Sequence, residues 1–144
     1  MTNENRDRII KYIEKQQFLN LVGFQIDVVE EGLVEGRMKL EGRHTQQKGL
    51  LHGGVTATVA DVVSGFAAYT LVKDSQHVVT AELKISYLNP GIGEEIYAKG
   101  WVLKTGRRMN FCEAEVYVVS GKERVMVAKA TSTMVTIEEG DLKR

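Results

Sequence analysis

The chain has 144 residues, and its 19 Lys and Arg are matched by 19 Asp and Glu. That length suits one domain with a real hydrophobic core, so residues 1–144 are read as a single unit. The zero formal charge removes the global field that would draw in nucleic acid or an anionic membrane surface. Cys112 is the only cysteine, which excludes an intrachain disulfide framework and a cysteine zinc cluster. The opening MTNENRDRII has no apolar signal-peptide core, so a cytoplasmic location is expected.

The first predicted element is a short amphipathic helix over about residues 5–18, with Ile9, Ile10, Ile13 and Phe18 on its apolar side. FQIDVVEEGLVEGRMKL then reads as two strands turning at Glu31-Gly32. The next stretch, LHGGVTATVADVVSGFAAYTLVK, predicts a helix over about residues 53–73 that carries a single acid, Asp61, in an otherwise uncharged run up to Lys73. It is long enough to span a bilayer. Its content argues otherwise, because it is mostly Ala, Gly, Thr, Ser and Val, holds Asp61 near its centre, and has no second apolar segment to accompany it. A helix without a polar face is then one enclosed by protein on most sides.

The second half of the chain supplies the enclosure. Val79, Ala81, Leu83, Ile85 and Tyr87 alternate with Thr80, Glu82, Lys84 and Ser86, the period of a half-buried strand, and Asn89-Pro90-Gly91 stops it. Further strands are predicted in EIYAKGWVLK, in FCEAEVYVV after the turn TGRRMN, and in RVMVAKATSTMVTI after SGKE. The order is helix, two strands, buried helix and four strands. That is an α+β chain in which one curved antiparallel sheet wraps a central helix, the hotdog arrangement.

Two motifs carry a resemblance: HGGVTATVAD, which joins His52-Gly53-Gly54 to Asp61, and TAELKISYLNP from Thr80 to Pro90. Together they resemble the acyl-CoA thioesterases of the hotdog superfamily, in the phenylacetate-pathway (PaaI-like) branch, over roughly Phe18 to Ile137. The resemblance implies hydrolysis of a thioester to free coenzyme A and a carboxylic acid. Coenzyme A is part of the substrate, and no separate cofactor is implied.

Thioester chemistry sets its own requirements beside the resemblance. As a thioester carbonyl is attacked, its oxygen becomes negative and needs a donor placed where that charge develops. A helix start offers N–H groups without intrahelical partners and a favourable dipole, and a glycine lets a ligand come close. Gly53 is therefore the expected principal oxyanion donor, as the resemblance also implies. Asp61 is the acid that hydrolysis needs, since mid-helix backbone groups are already paired and require no aspartate to satisfy them. The resemblance implies an ionised Asp61 acting as nucleophile or as general base toward water, and the sequence does not choose between them.

His52 and Asp61 cannot form a dyad within one helix. Nine residues at ~100° put them half a turn apart, with about 13 Å between them along the axis. A site that uses both ends must take the helix start from one subunit and Asp61 from another. A homodimer with shared sites is expected, assembled further into a homotetramer as a dimer of dimers. His52 is read as a supporting residue that shapes the loop or contacts the thioester, with general-base work as the lesser alternative.

Gln46 lies where the PaaI-like branch has asparagine and a sister branch of aryl-CoA thioesterases, which use glutamate at the place of Asp61, has glutamine; its amide can donate to the thioester oxygen. Thr80 matches a position whose hydroxyl orients the attacking water in relatives, and alternation puts it on the polar side of its strand. Gly65 lacks the hydroxyl that the sister branch carries there. For substrate binding, the turn KTGRRM brings Lys104, Gly106, Arg107 and Arg108 together as a grip on the coenzyme A phosphates, with Gly54, Tyr87 and Asn89 along the pantetheine arm. Cys112 reads as a core residue. His44 and His77 have no metal-ligand spacing, and no metal is expected.

Two other functions fit the same frame. A hydroxyacyl dehydratase would carry a proline-rich histidine motif, and this chain has one proline, Pro90. A non-catalytic acyl-CoA-binding or sensing module would keep the turn and the helix start without needing an acid at position 61.

Overall fold

A computed structural model describes residues 1–142 of the chain. In order, the elements are α1 (Asn3–Glu14), α2 (Gln17–Val22), β1 (Gln25–Glu30), β2 (Leu33–Lys39), α3 (Gly53–Tyr69), β3 (Gln76–Tyr87), β4 (Glu95–Thr105), β5 (Met109–Ser120) and β6 (Glu123–Glu138). All six strands form one antiparallel sheet in the order β1-β2-β4-β5-β6-β3. The expected α+β hotdog architecture is present: α3 packs against β2, β4, β5, β6 and β3 in turn, so the sheet curves around it.

The small residues of α3 permit that close wrapping. Val59, Ala60, Val63 and Ala67 are fully buried against Ile96, Ala98, Ala114 and Val116 of the sheet. At the tightest crossing, a Cβ on Gly100 would sit 2.5 Å from the backbone carbonyl carbon of Val63, so only glycine lets β4 approach the helix there.

Three sequence expectations need correction. The N-terminal helix is two helices, not one over 5–18. α1 starts where Thr2 Oγ1 accepts from the Asn5 N–H at 3.2 Å, and the chain breaks at Lys15-Gln16 before α2. The break resets the helical phase of α2, so Leu19 is buried while Phe18 is 57% exposed. The central helix ends at Tyr69, not Lys73. The Thr70 hydroxyl, which donates to Ala67 O and accepts the Gly32 N–H, both at 2.7 Å, ties the helix end to the β1–β2 turn.

The third correction concerns β3, whose register against β6 shifts between Thr80 and Glu82. An extra residue reverses which side chains face inward. Val78 packs on the core before the bulge, as do Leu83 and Ile85 after it, while Val79 is 42% exposed. Thr80 therefore points inward to α3, not to the outer, polar side. As expected, α3 is enclosed on most sides and not all round. Gly54 is exposed and Thr58, Asp61 and Gly65 are half-buried, leaving one open stripe beside the unpaired edge of β3. Among the described residues no helix is long and apolar enough to cross a membrane.

Candidate active site

The start and the middle of α3 hold different chemistry. At its start, His52 is the N-cap, and its Nδ1 accepts the Gly54 N–H at 2.8 Å. Val55 and Thr56 both donate to the His52 carbonyl. The Gly53 N–H is left without a hydrogen-bond partner among the described residues, in the position where the helix dipole favours negative charge. On its other side Gly53 is clamped: Tyr87 donates its hydroxyl to the Gly53 carbonyl at 2.8 Å, and a Cβ on Gly53 would lie 3.3 Å from the tyrosine ring.

Gln46 reaches the same place through a tight loop. Its N–H donates to Leu50 O, Gly49 donates to Gln46 O with a φ of 78° that glycine favours, and Leu51 donates to Gly91 O. Gln46, Leu51, Gly53, Tyr87, Asn89 and Pro90 then share a cleft of about 440 Å³. The Gln46 Oε1 accepts from the Lys48 N–H, which turns the amide nitrogen of the side chain free to donate. Asn89 is fixed at the rim by Nδ2 donating to Met126 O at 2.8 Å.

Two turns along α3, Asp61 faces a separate cleft of about 190 Å³. Its Oδ1 accepts the Thr80 hydroxyl at 2.7 Å. With that proton committed, Thr80 keeps lone pairs free to accept from a further donor, and Asp61 Oδ2 remains free as a base. The bulge in β3 puts Thr80 there, since unbroken alternation would have turned it away. Gly53 and Asp61 are eight residues apart, about 12 Å along the axis, and they line different clefts.

The turn carrying Lys104, Gly106, Arg107 and Arg108 is exposed. Met109 aligns with Val135 and Val135 with Val79, so this turn lies toward the Asp61–Thr80 end of the sheet. Tyr87 and Asn89 lie at the Gly53 end. The sequence groups these residues along one coenzyme A track. Within one subunit the structure divides them between the Gly53 cleft and the Asp61 side of the sheet.

The remaining candidates have structural surroundings. Cys112 is 1% exposed, and burial pushes its thiol up to about 11, which keeps it protonated and inert at neutral pH. His44 is buried and fastens a loop: Nδ1 accepts the Glu41 N–H at 3.0 Å and the other ring nitrogen meets Val22 O at 2.6 Å. Among the described residues, no group of three or more His, Cys, Asp or Glu is placed to hold a metal ion.

Sequence reasoning missed the walls of the Asp61 cleft, which include Tyr12, Phe66, Tyr69 and His77. One signal was available: Asp61, Gly65 and Tyr69 recur every four residues and so share a helix face. Nothing in the period of α1 marks Tyr12.

Comparison with known proteins identifies the family and the fold. Residues 48–125 match the family model of the thioesterase superfamily. The chain is 32% identical over 119 residues to human acyl-coenzyme A thioesterase 13, covering 81% of this chain and 84% of that one. It spans only 56% of the length of the mouse protein of that name, with 36% identity over 80 residues. A solved thioesterase family protein from Silicibacter pomeroyi superposes with a TM-score of 0.90 at 30% identity, covering 93% of this chain and 98% of its own. The PaaI protein of Escherichia coli shares the fold at a TM-score of 0.82 and 18% identity, with 92% and 93% covered.

Proposed function

Because the chain belongs to the thioesterase superfamily, we propose that it hydrolyses acyl-CoA thioesters, with the thioester held between the start of α3 in one subunit and Asp61 of the partner subunit. The observation that carries this reading is the division of α3 into two half-sites. One holds the unpaired Gly53 N–H beside Gln46, and the other holds Asp61 hydrogen-bonded to Thr80. Neither half has both a donor for the developing oxyanion and a base for water.

The unpaired twelve-residue edge of β3 and the open stripe of α3, lined by Gly54, Thr58, Asp61 and Gly65, support pairing with a second copy. A long exposed edge carrying Val79, Ala81 and Tyr87 otherwise invites non-specific strand pairing. A two-fold dimer through this face brings opposite ends of the two α3 helices together and makes two equal sites. Two such dimers give the tetramer, and the cytoplasm is the working compartment.

In the proposed reaction, water donates one hydrogen bond to Asp61 Oδ2 and the other to Thr80 Oγ1. Its oxygen attacks the thioester carbonyl carbon while Asp61 takes a proton. The Gly53 N–H and the Gln46 amide receive the negative oxygen. The tetrahedral intermediate collapses, the C–S bond breaks, and the proton passes from Asp61 to the leaving sulfur, giving CoA thiol and the carboxylic acid. The residues supply every group these steps use, without a cofactor. Lys104, Arg107 and Arg108 bind the nucleotide phosphates of the ester whose carbonyl lies nearest the Asp61 end.

The test is thiol release from a panel of acyl-CoA esters by wild type and by Asp61→Asn, which is nearly isosteric but never anionic. The wild type should release thiol, and Asp61→Asn should lower kcat by about two to four orders of magnitude with KM little changed. Binding of CoA esters without release from any of them would replace this reading with a sensing module. Single turnovers in ¹⁸O water with and without hydroxylamine separate the two roles for Asp61: label in the Asp61 carboxylate, or hydroxylamine capture of a mixed anhydride, means direct attack, and an unlabelled Asp61 with no captured anhydride means water attack.

A further inference from the structure

Tyr12 and Tyr69 each border two hollows. On one side is the Asp61 cleft of about 190 Å³, and on the other a larger groove of about 550 Å³ along the charged face of α1, bounded by Asp7, Arg8, Lys11 and Lys15. The two rings are stacked with centroids 4.7 Å apart at 27°. Phe66 meets the Tyr12 ring edge-on at 6.2 Å, and the Tyr12 hydroxyl lies 3.4 Å from the ring nitrogens of His77. Arg8 holds the far side of the wall, with Nη1 donating to the Tyr69 hydroxyl at 3.3 Å and its guanidinium 5.0 Å from the Tyr69 ring centroid. A partition fastened on both faces divides the two hollows.

From this juxtaposition we infer that Tyr12 determines acyl-chain specificity: stacked on Tyr69, it ends the acyl pocket and stops the chain from running into the groove along α1. The inference rests on the thioesterase reading for the identity of the ligand. A cleft of about 190 Å³ has room for roughly six water-sized groups at ~30 Å³ each. The acyl groups it takes are accordingly short chains or a single ring. Tyr12 touches the far end of the acyl group and none of the reacting atoms, so its effect falls on the selection of chain length.

The experiment measures dissociation constants of non-hydrolysable S-alkyl-CoA thioethers from four to sixteen carbons, alongside hydrolysis of the matching acyl-CoA esters. For wild type, affinity should rise up to roughly fourfold per methylene until about six carbons, then level off. In Tyr12→Ala the rise should continue past that break, so that the ten-carbon to six-carbon affinity ratio exceeds the wild-type ratio by about tenfold or more. Tyr12→Phe keeps the ring and should keep the wild-type break. Should Tyr12→Ala not melt cooperatively, Tyr12→Leu, which retains an apolar contact for Phe66, is read in the same way. A break that stays put when the ring is removed, a Phe variant that shifts as the Ala variant does, or thioethers that do not bind wild type overturns the inference. Failure of the functional reading looks different: no ester is hydrolysed by wild type, yet the thioether break still moves with Tyr12. Hydrolysis with an unmoved break leaves the function standing and removes the role of Tyr12.

Discussion

The start of α3 and its middle differ in what they offer a substrate. At the start the useful group is backbone: the Gly53 N–H, aimed by the His52 cap on one side and the Tyr87 hydroxyl on the other. At the middle it is a side chain: Asp61, aimed by the Thr80 hydroxyl. A backbone donor is removed only by proline and is otherwise tuned through its neighbours, whereas a carboxylate can be deleted by many substitutions. In the proposed reaction the start stabilises charge and the middle moves a proton, and their separation along one helix keeps them from satisfying each other.

The comparison breaks most directly if one subunit suffices. Asp61→Ala and Gln46→Ala should each be nearly inactive alone and, when co-expressed or refolded together, should recover roughly a quarter of wild-type activity. Half of randomly formed dimers are mixed, and each of these has one intact site of two. Recovery is read by thiol release, with mixed dimers counted by native mass spectrometry. Mixed dimers as inactive as their parents would place each complete site within a single subunit.

Next in size is the aiming of the carboxylate. Thr80→Val deletes a hydrogen bond to a charged group, and kcat should fall by roughly ten- to a hundredfold; Thr80→Ser should restore most of it. A valine variant with wild-type kcat would show that Asp61 needs no such support. At the same end, Arg107→Ala combined with Arg108→Ala should raise KM for CoA esters by about tenfold and leave acyl-pantetheine analogues, which lack the nucleotide, nearly unchanged. Equal loss on both substrates would show that the arginines do not hold the phosphates.

The smallest effect belongs to the helix start. His52→Ala removes the N-cap acceptor for the Gly54 N–H and should cost about 1 kcal/mol, lowering Tm by about 4 °C. His52→Asn, another side chain able to cap, should recover most of the loss in a thermal melt. If the alanine variant melts like wild type, the cap does not fix the Gly53 geometry.

Much of this was legible in the sequence because it rests on local patterns. The small, nearly uncharged run of α3 showed a helix that a sheet could wrap closely, and helical arithmetic alone separated Gly53 from Asp61. Two of the misses share one physical origin, a departure from periodicity. One extra residue near Ala81 in β3 turned Thr80 inward, and a break at Lys15-Gln16 turned Phe18 outward. Bulges and helix breaks are set by what the chain packs against, and a period measured along the chain does not report them. The Tyr12–Tyr69 wall was invisible for a related reason, since it joins residues 57 positions apart in sequence.

The bulged strand β3 touches both the middle and the start of α3: Thr80 at Asp61, on one side of the extra residue, and Tyr87 at Gly53, on the other. Substitutions between these two anchors trade one side chain for another and leave the spacing intact. An insertion or deletion of one residue there reverses the facing of everything beyond it and detaches one anchor while the other holds. Between Thr80 and Tyr87 the outward-facing positions should therefore drift in composition over evolutionary time while Leu83 and Ile85 stay apolar and the length stays fixed, so that a length change there is expected in a descendant that has lost the proposed reaction.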